Sequence, residues 1–331
     1  MKTHIIAEAG NNHNGNLGKA KELVDIASAA GADSVKFQII YPEGLYLPGK
    51  YDFGHYDIEK VIEIRKKQML KDNEYRELFA YAHERGISLS ASVFDKRGLE
   101  LLADLNPPYI KIASCDLNNI HFLRQVAEKG IKIVLSTGMS SLGDIEKSIN
   151  ELFKANFTNL VLMHCVSIYP ARLSEMNLTF LDTLKSAFGL PIGLSDHTQN
   201  SIASCIALAK GATYLEKHYT QDKNQEGFDH AYALEAKEFS QYVSDIREAE
   251  IALERTPSKI GEKERFVRRR ARRSIYSSRL IRKDHVITED DILIVRPEGL
   301  MNADEIDSVL GARATRNIEP YQPISPFDLT T

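Results

Sequence analysis

Cysteine is scarce in this chain: 3 in 331 residues, at Cys115, Cys165 and Cys205. So sparse and odd a set, without metal-type spacing, excludes a cysteine-built metal centre and suits a reducing, cytoplasmic compartment. Long apolar runs are missing as well. No uninterrupted stretch approaches the ~20 residues of a membrane-spanning helix, so no span is expected. The N-terminus, Met1-Lys2-Thr3-His4 and then Ile5-Ile6-Ala7, lacks the apolar region and cleavage site of a signal peptide. Excess charge of either sign is slight. Lys+Arg 42 against Asp+Glu 46 leaves a net charge of −4, which points to neither nucleic acid nor a membrane as partner. A Gly-x-Gly-x-x-Gly loop after the first strand is absent, which weighs against an open doubly wound sheet.

What is present is ordinary globular composition, 43% hydrophobic and 27% charged, with room for one large domain and one small one. Nearly continuous apolar runs predict buried parallel strands at His4–Gly10, Ser34–Ile40, Ile87–Val93, Tyr109–Ser114, Lys132–Gly138, Asn159–Val166, Pro191–Asp196 and Thr213–Tyr219. Helix-period segments such as Gly18–Ala30 and Asp72–Arg85 separate them, and a last helix is expected near Ala236–Glu254. Eight such units in about 250 residues predict a (β/α)8 TIM barrel over 1–255. A polar linker is expected over 256–273, and a small β-rich domain over 274–331. The linker carries Arg268-Arg269-Arg270-Ala271-Arg272-Arg273. Without interleaved aromatics this run reads as a solvated or partner-contacting stretch rather than a nucleic-acid site.

In such a barrel the working residues gather at the C-terminal ends of the strands. Here those ends carry Glu8, Lys36, Ser92, Lys111, Ser114, Asp116, Ser136, Ser167, Tyr169 and Ser195. Buried polar groups must be paired, so a barrel built for stability alone would not collect so many. Leu194-Ser195-Asp196-His197-Thr198 and Leu215-Glu216-Lys217-His218-Tyr219-Thr220 each place a histidine at the end of a strand. His197 and His218 read either as ligands of a hard or borderline ion such as Mn²⁺ or Mg²⁺, or as two satisfied polar histidines. Asp196 or Glu216 would orient a ligating ring. His164, beside Cys165, reads as a core histidine. Lys36 and Lys111, mid-strand, form with Ser92, Ser114 and Ser136 a cradle for phosphate or carboxylate, or else bury salt bridges to Glu8 or Asp116. Glu8, between Ala7 and Ala9, is a general acid/base candidate.

Together these residues resemble the sialic acid synthase family, the phosphoenolpyruvate-condensing N-acetylneuraminate synthases and their relatives. The resemblance runs through Ala7-Glu8-Ala9-Gly10-Asn11-Asn12-His13-Asn14-Gly15, Val35-Lys36-Phe37-Gln38, Tyr109-Ile110-Lys111-Ile112-Ala113-Ser114, Leu135-Ser136-Thr137-Gly138-Met139, His164-Cys165-Val166-Ser167-Ile168-Tyr169-Pro170 and both histidine motifs. Past Ser274 the chain resembles the antifreeze-like (SAF) domain of those synthases, through Lys283-Asp284-His285-Val286-Ile287-Thr288-Glu289-Asp290-Asp291-Ile292 and Val295-Arg296-Pro297. The resemblance implies synthesis of a nine-carbon acidic sugar from phosphoenolpyruvate and a six-carbon N-acyl sugar, with release of phosphate. It implies that His197 and His218 bind a divalent ion, usually Mn²⁺, with Mg²⁺ or Co²⁺ as alternatives. Lys36, Ser92, Lys111, Ser114, Ser136 and Ser195 would hold phosphoenolpyruvate. Glu8 would manage the proton of the water that attacks C2. Asp116, Tyr169 and Asp229 would contact the sugar, with Ser167 beside them. Arg296 would reach the partner's site across a domain-swapped homodimer.

Four departures from the family's pattern stand out. Ser90-Ala91-Ser92-Val93 replaces Ser-Thr-Pro or Ser-Ser-Pro, and Ser167 stands where many sialic acid synthases carry Asn. Gly227-Phe228-Asp229-His230 replaces Gly-Pro-Asp, and Arg296-Pro297-Glu298-Gly299 departs from Arg-Pro-Gly. They leave the phosphoenolpyruvate chemistry in place and bear on the sugar, including sugars leading to legionaminic or pseudaminic acid. Two other classes compete: a metal-dependent barrel aldolase or hydrolase, which needs the histidines but no phosphate cradle, and a non-catalytic sugar or ice-surface binder. The charged tail lacks the flat Thr-rich face that ice binding would need.

Overall fold

Eight short parallel strands carry the first of two units in this computed structural model, which describes residues 2–51, 56–254 and 260–330. They are β1 (His4–Gly10), β2 (Ser34–Ile39), β3 (Ser88–Val93), β4 (Ile110–Ile112), β5 (Ile133–Ser136), β6 (Leu160–Cys165), β7 (Ile192–Asp196) and β8 (Tyr214–Thr220). Each pairs in parallel with the next, and β1 pairs with β8, so the sheet closes into a (β/α)8 barrel. Leu234–Glu235 adds a short parallel pairing to β8.

Side chains alternate between the two faces of a strand. Ile6, Tyr109, Val134, Val161 and Met163 meet inside the barrel as an apolar plug. Two residues further along, the inward positions turn polar, to Glu8, Lys111 and Ser136, which line a cavity. The alternate residues, among them Ile5, Ala7, Val35, Phe37, Ile110 and Ile112, face the helices and form the larger core. The ring thus has a dry end and a polar end, and the polar end is the C-terminal one.

The helices are α1 (Leu17–Ala30), α2 (Ile58–Lys67), α3 (Asp72–Glu84), α4 (Lys96–Asp104), α5 (Ile120–Glu128), α6 (Leu142–Lys154), α7 (Phe180–Phe188), α8 (Ile202–Ala209) and α9 (Ala236–Ala252). Local chemistry fixes several ends. The Asn16 side chain accepts from Lys19 N–H at 3.0 Å, and Asp95 accepts from Gly98 N–H at 2.7 Å. Ser141 and Asp144 form a reciprocal capping box. Each such cap stabilises its helix by about 1 kcal/mol. Gly31 closes α1 at φ 79°, a left-handed turn that suits glycine. No described helix is long and apolar enough to cross a membrane, and the three cysteines are unbridged.

Three local expectations change. β4 and β5 are shorter than the apolar runs at 109–114 and 132–138. At β4 the chain turns at Ser114–Asp116 into a 3-10 helix. α2 had no counterpart in the expected pattern.

The second unit is Arg255–Thr331, of which residues 260–330 are described; the first residues of the expected linker, 256–259, lie outside them. The rest of that stretch is not extended linker. Glu262–Ala271 forms a helix, α10. Arg268 Nε donates to Glu298 Oε1 at 2.6 Å, so part of the arginine run is spent inside its own unit. β9 (Ser274–Ser277) pairs antiparallel with β10 (Ile292–Val295), and β11 (Arg313–Ala314) with β12 (Leu329–Thr330). Ile275, Ile281, Ile287, Val309, Ile318 and Ile324 are central to a small separate core. Asp291 braces it, accepting from Thr288 N–H at 2.8 Å, Arg279 Nε at 2.8 Å and His285 Nε2 at 2.9 Å. Arg296 is exposed at the end of β10.

Candidate active site

A cavity of about 310 Å³ opens at the polar end of the barrel. Its walls include Glu8, Lys36, Ser92, Lys111, Ser114 and Ser136, and on the other side Ser167, Tyr169, Ser195, His197, Glu216 and His218. All eight barrel strands contribute, with residues at their ends or just beyond.

Two lysines and two glutamates make the floor. Lys36 Nζ lies 2.7 Å from Glu8 Oε2 and 3.8 Å from Glu216 Oε2. It also donates to Ser92 Oγ at 2.9 Å. Lys111 Nζ lies 3.5 Å from Glu216 Oε1 and donates to Ser136 Oγ at 2.6 Å. All four charged side chains are 96% or more buried. The expected alternatives for the lysines therefore coexist: serine hydroxyls and carboxylates share each ammonium. The second carboxylate, however, is Glu216 and not Asp116. Asp116 turns away within the Ser114–Asp116 turn, accepts from Asn119 Nδ2 at 3.1 Å, and does not line the cavity. That Glu216 faces inward was legible, since it lies two residues before His218 on one strand and so shares its face; which lysines it meets was not.

The two glutamates are held in opposite states. Burial raises the Glu8 carboxyl to about 7, against the pull of Lys36. Burial also raises Glu216, but Lys111 and then Lys36 outweigh it and hold it at about 2. One carboxyl is thus poised to exchange a proton near neutrality and the other is a fixed anion. Gln38 Nε2 donates to Glu8 Oε1 at 2.9 Å and fixes its orientation.

Small residues continue the wall. A Cβ at Gly138 would come within 2.5 Å of Ser167 Oγ and 2.7 Å of Ser114 Oγ, and Gly138 N–H donates to Ser114 Oγ at 3.0 Å. Glycine there lets two hydroxyls approach the backbone. Ser195 Oγ donates to Glu216 Oε1 at 3.0 Å.

The two histidine rings sit with centroids 5.5 Å apart. His197 Nδ1 donates to the Val166 carbonyl at 2.7 Å, which makes Nε2, 3.4 Å from Ser195 Oγ, the nitrogen that carries the lone pair. His218 Nδ1 is buried without a hydrogen-bond partner. Burial holds both rings at about 4, against the raising pull of the Val166 carbonyl at His197 and of Asp229 at His218. They are neutral near pH 7, the form in which imidazole ligates metal. The donor set fits a divalent ion bound by two imidazoles with further positions open. Among the described residues no group of three or more His, Cys, Asp or Glu cages an ion. Tyr169 packs against this pair, its ring centroid 4.1 Å from that of His197 at a tilt of 37° and edge-on to His218.

Behind the histidines runs a buried clamp. Lys217 points out of the barrel, with Nζ 3.1 Å from Asp196 Oδ2, and donates to Thr198 O at 2.5 Å and Asn200 O at 3.0 Å. Asp196 therefore braces the loop after His197 rather than a histidine ring. His164 Nε2 donates to Met176 O at 2.7 Å, and the ring packs on Phe180, off the cavity wall. Asp229 lies near the rim but does not line the cavity; Tyr232 OH donates to its Oδ1 at 2.6 Å. Arg296 belongs to the second unit.

Comparison with known proteins gives a consistent picture. Residues 23–257 match the model described as the NeuB family, and residues 272–330 match the SAF domain. The N,N'-diacetyllegionaminic acid synthase of Campylobacter jejuni is 36% identical over 324 residues, 96% of this chain and 97% of that protein. A pseudaminic acid synthase of the same organism is 33% identical, over 96% of this chain and 94% of that protein. The crystal structure of the N-acetylneuraminic acid synthetase of Leptospira borgpetersenii superposes with a TM-score of 0.72 at 32% identity, covering 81% of this chain and 90% of that one.

Proposed function

The chain belongs to the NeuB family of sialic-acid-type synthases, and from that premise we propose that it condenses phosphoenolpyruvate with an open-chain N-acyl six-carbon sugar, N-acetylmannosamine or a relative. The products are a nine-carbon sialic-acid-type sugar and phosphate. The observation that carries the reading is the floor of the cavity, where Lys36 and Lys111 converge with serine hydroxyls beside a glutamate whose proton exchanges near pH 7. An aldolase or hydrolase that used only the histidines would have no need of that cradle.

In this reading Lys36, Lys111, Ser92, Ser114, Ser136 and Ser195 hold the phosphate and carboxylate of phosphoenolpyruvate through charge-assisted hydrogen bonds. The C3 carbon of phosphoenolpyruvate bonds to the aldehyde carbon of the sugar. The C=O π bond of the aldehyde opens and its oxygen takes up a proton to become a hydroxyl, while water adds at C2 and gives up a proton to Glu8. The bridging C2–O bond then breaks, phosphate departs, and C2 becomes the keto carbon of the product. His197 and His218 would hold a divalent ion, Mn²⁺ first among candidates, which supplies Lewis-acid polarisation of the aldehyde. Tyr169, Ser167, Asp116 and Asp229 are assigned to the sugar. Because Asp116 and Asp229 lie off the cavity wall, the sugar would extend beyond it or draw them in. Arg296 is assigned to the sugar site of a partner subunit in a domain-swapped homodimer. Free cysteines accord with work in the cytoplasm.

The test is phosphate release from phosphoenolpyruvate in the presence of Mn²⁺ and a panel of N-acyl sugars. Sugar-dependent release, abolished by chelation and restored by Mn²⁺, is expected. Release that needs no sugar, or full activity in metal-free protein, contradicts the reading.

A further inference from the structure

Arg65 has no role in anything described so far, yet its environment is unusual. It lies on α2, and its guanidinium carbon sits 3.8 Å from the centroid of the Phe228 ring. Its Nε and Nη1 atoms are shielded from water and have no hydrogen-bond partner among the described residues. Buried donors without partners are rare and call for an explanation. Asp229, the residue after Phe228, leaves its Oδ2 equally buried and unpartnered.

The place matters. Tyr232, which donates to the other oxygen of Asp229, has its ring 5.2 Å from that of His218 and 5.0 Å from that of Tyr169. A Cβ at Gly10, two residues past Glu8, would come within 2.5 Å of Asp229 Oδ2. Asp229 therefore stands between the end of β1 and the ring cluster of Tyr169, His218 and Tyr232, and Phe228, beside it in sequence, carries the Arg65 guanidinium. The Tyr232 hydroxyl occupies Asp229 Oδ1, so Oδ2 is the carboxylate oxygen left for a ligand.

We propose that Arg65, held by Phe228, and Asp229 together receive an acylamino group of the acceptor sugar and so set which sugar the enzyme accepts. The carbonyl oxygen, with two lone pairs, accepts from the guanidinium; the amide N–H donates to Asp229 Oδ2. An acylamino group places acceptor and donor on separate atoms, matching a cation on α2 and an anion on the loop after β8. A hydroxyl would have to bring one oxygen within reach of every unpaired atom. Phe228 gives Arg65 its platform, since arginine stacks well on an aromatic face and proline at this position would offer none. The inference rests on the synthase reading above.

The experiment compares sugar pairs that differ only in acylamino against hydroxyl: N-acetylmannosamine with mannose, and a diacetamido trideoxyhexose with its monoacetamido counterpart. Each is assayed with phosphoenolpyruvate and Mn²⁺ in the wild type, Arg65→Met, Arg65→Lys and Phe228→Pro. In at least one pair the wild type is expected to prefer the acylamino sugar in kcat/KM. Arg65→Met should lower that preference at least tenfold, mainly through the KM for the sugar, with the KM for phosphoenolpyruvate unchanged. Arg65→Lys, which keeps the charge and the fold but loses the planar donors, should fall between, and Phe228→Pro should weaken the preference in the same direction. An active wild type whose preference survives both Arg65 variants, or variants that depress both members of each pair equally, overturns the proposal alone. A wild type inactive on every sugar overturns the synthase reading and this inference with it.

Discussion

Glu8 concentrates the chemistry of the site in one residue. Its neighbours on the strand, Ala7 and Ala9, made its inward burial legible from sequence. It was one of the two carboxylates expected to pair with the buried lysines, and it pairs with Lys36. Glu216 was not expected as the shared anion, because strand pairing across the barrel decides which inward residues meet, and single-strand patterns carry no register. The function of Glu8 as a base makes a pH prediction. It is raised to about 7 by burial, so the protonated, inactive form dominates below that pH. The value of kcat/KM should therefore fall as pH drops through 7, and a pH-rate profile reads this directly. Glu8→Gln keeps the shape but cannot exchange a proton. It should lower kcat by about 10²–10⁴ and remove the ionisation near 7. A variant with near-wild-type turnover would leave Glu8 a structural role.

At the scale of elements, the strands were the most legible part of the chain, because eight apolar runs of similar length sit between helix-period segments. Their ends were less so. The polar turn at Ser114–Asp116 cuts β4 short and swings Asp116 off the cavity, which residue type alone does not reveal. α2 was missed, although its face later brings Arg65 to Phe228. The β7–β8 pair shows how one element fixes another. Lys217 alternates with the inward Glu216 and His218, so it faces outward, and its ammonium ties Asp196, Thr198 and Asn200 to β8. Lys217→Met should leave Asp196 buried without its counter-charge and cost about 3–5 kcal/mol in denaturant unfolding. Asp196→Asn in the same chain should recover much of that loss. A loss in the double variant equal to the sum of the two single losses would show that the pair is not coupled.

For the whole molecule, strand count and connection lengths were enough to predict the barrel, and charged loop motifs to mark off the second unit. The α10 helix within the expected linker escaped because Glu262–Ala271 is almost wholly polar and shows no apolar stripe. The second unit has a small core and carries Arg296, which the proposal assigns to a partner's site. Mixing Arg296→Ala subunits with His197→Ala subunits tests that assignment. In a swapped dimer one site collects both lesions and the other none, so up to half of the wild-type activity per mixed dimer should return. Mixtures that exchange subunits and stay inactive place Arg296 in cis or outside the reaction.

The claim at the centre is that C–C bond formation ends in cleavage of the C2–O bond of phosphoenolpyruvate within this cavity. Phosphoenolpyruvate carrying heavy oxygen at the bridging position tests it in one reaction with Mn²⁺ and the preferred N-acyl sugar, read by mass spectrometry. The account predicts a nine-carbon product without that label and inorganic phosphate that carries it. Unlabelled phosphate, or labelled phosphate with no nine-carbon product, would contradict it.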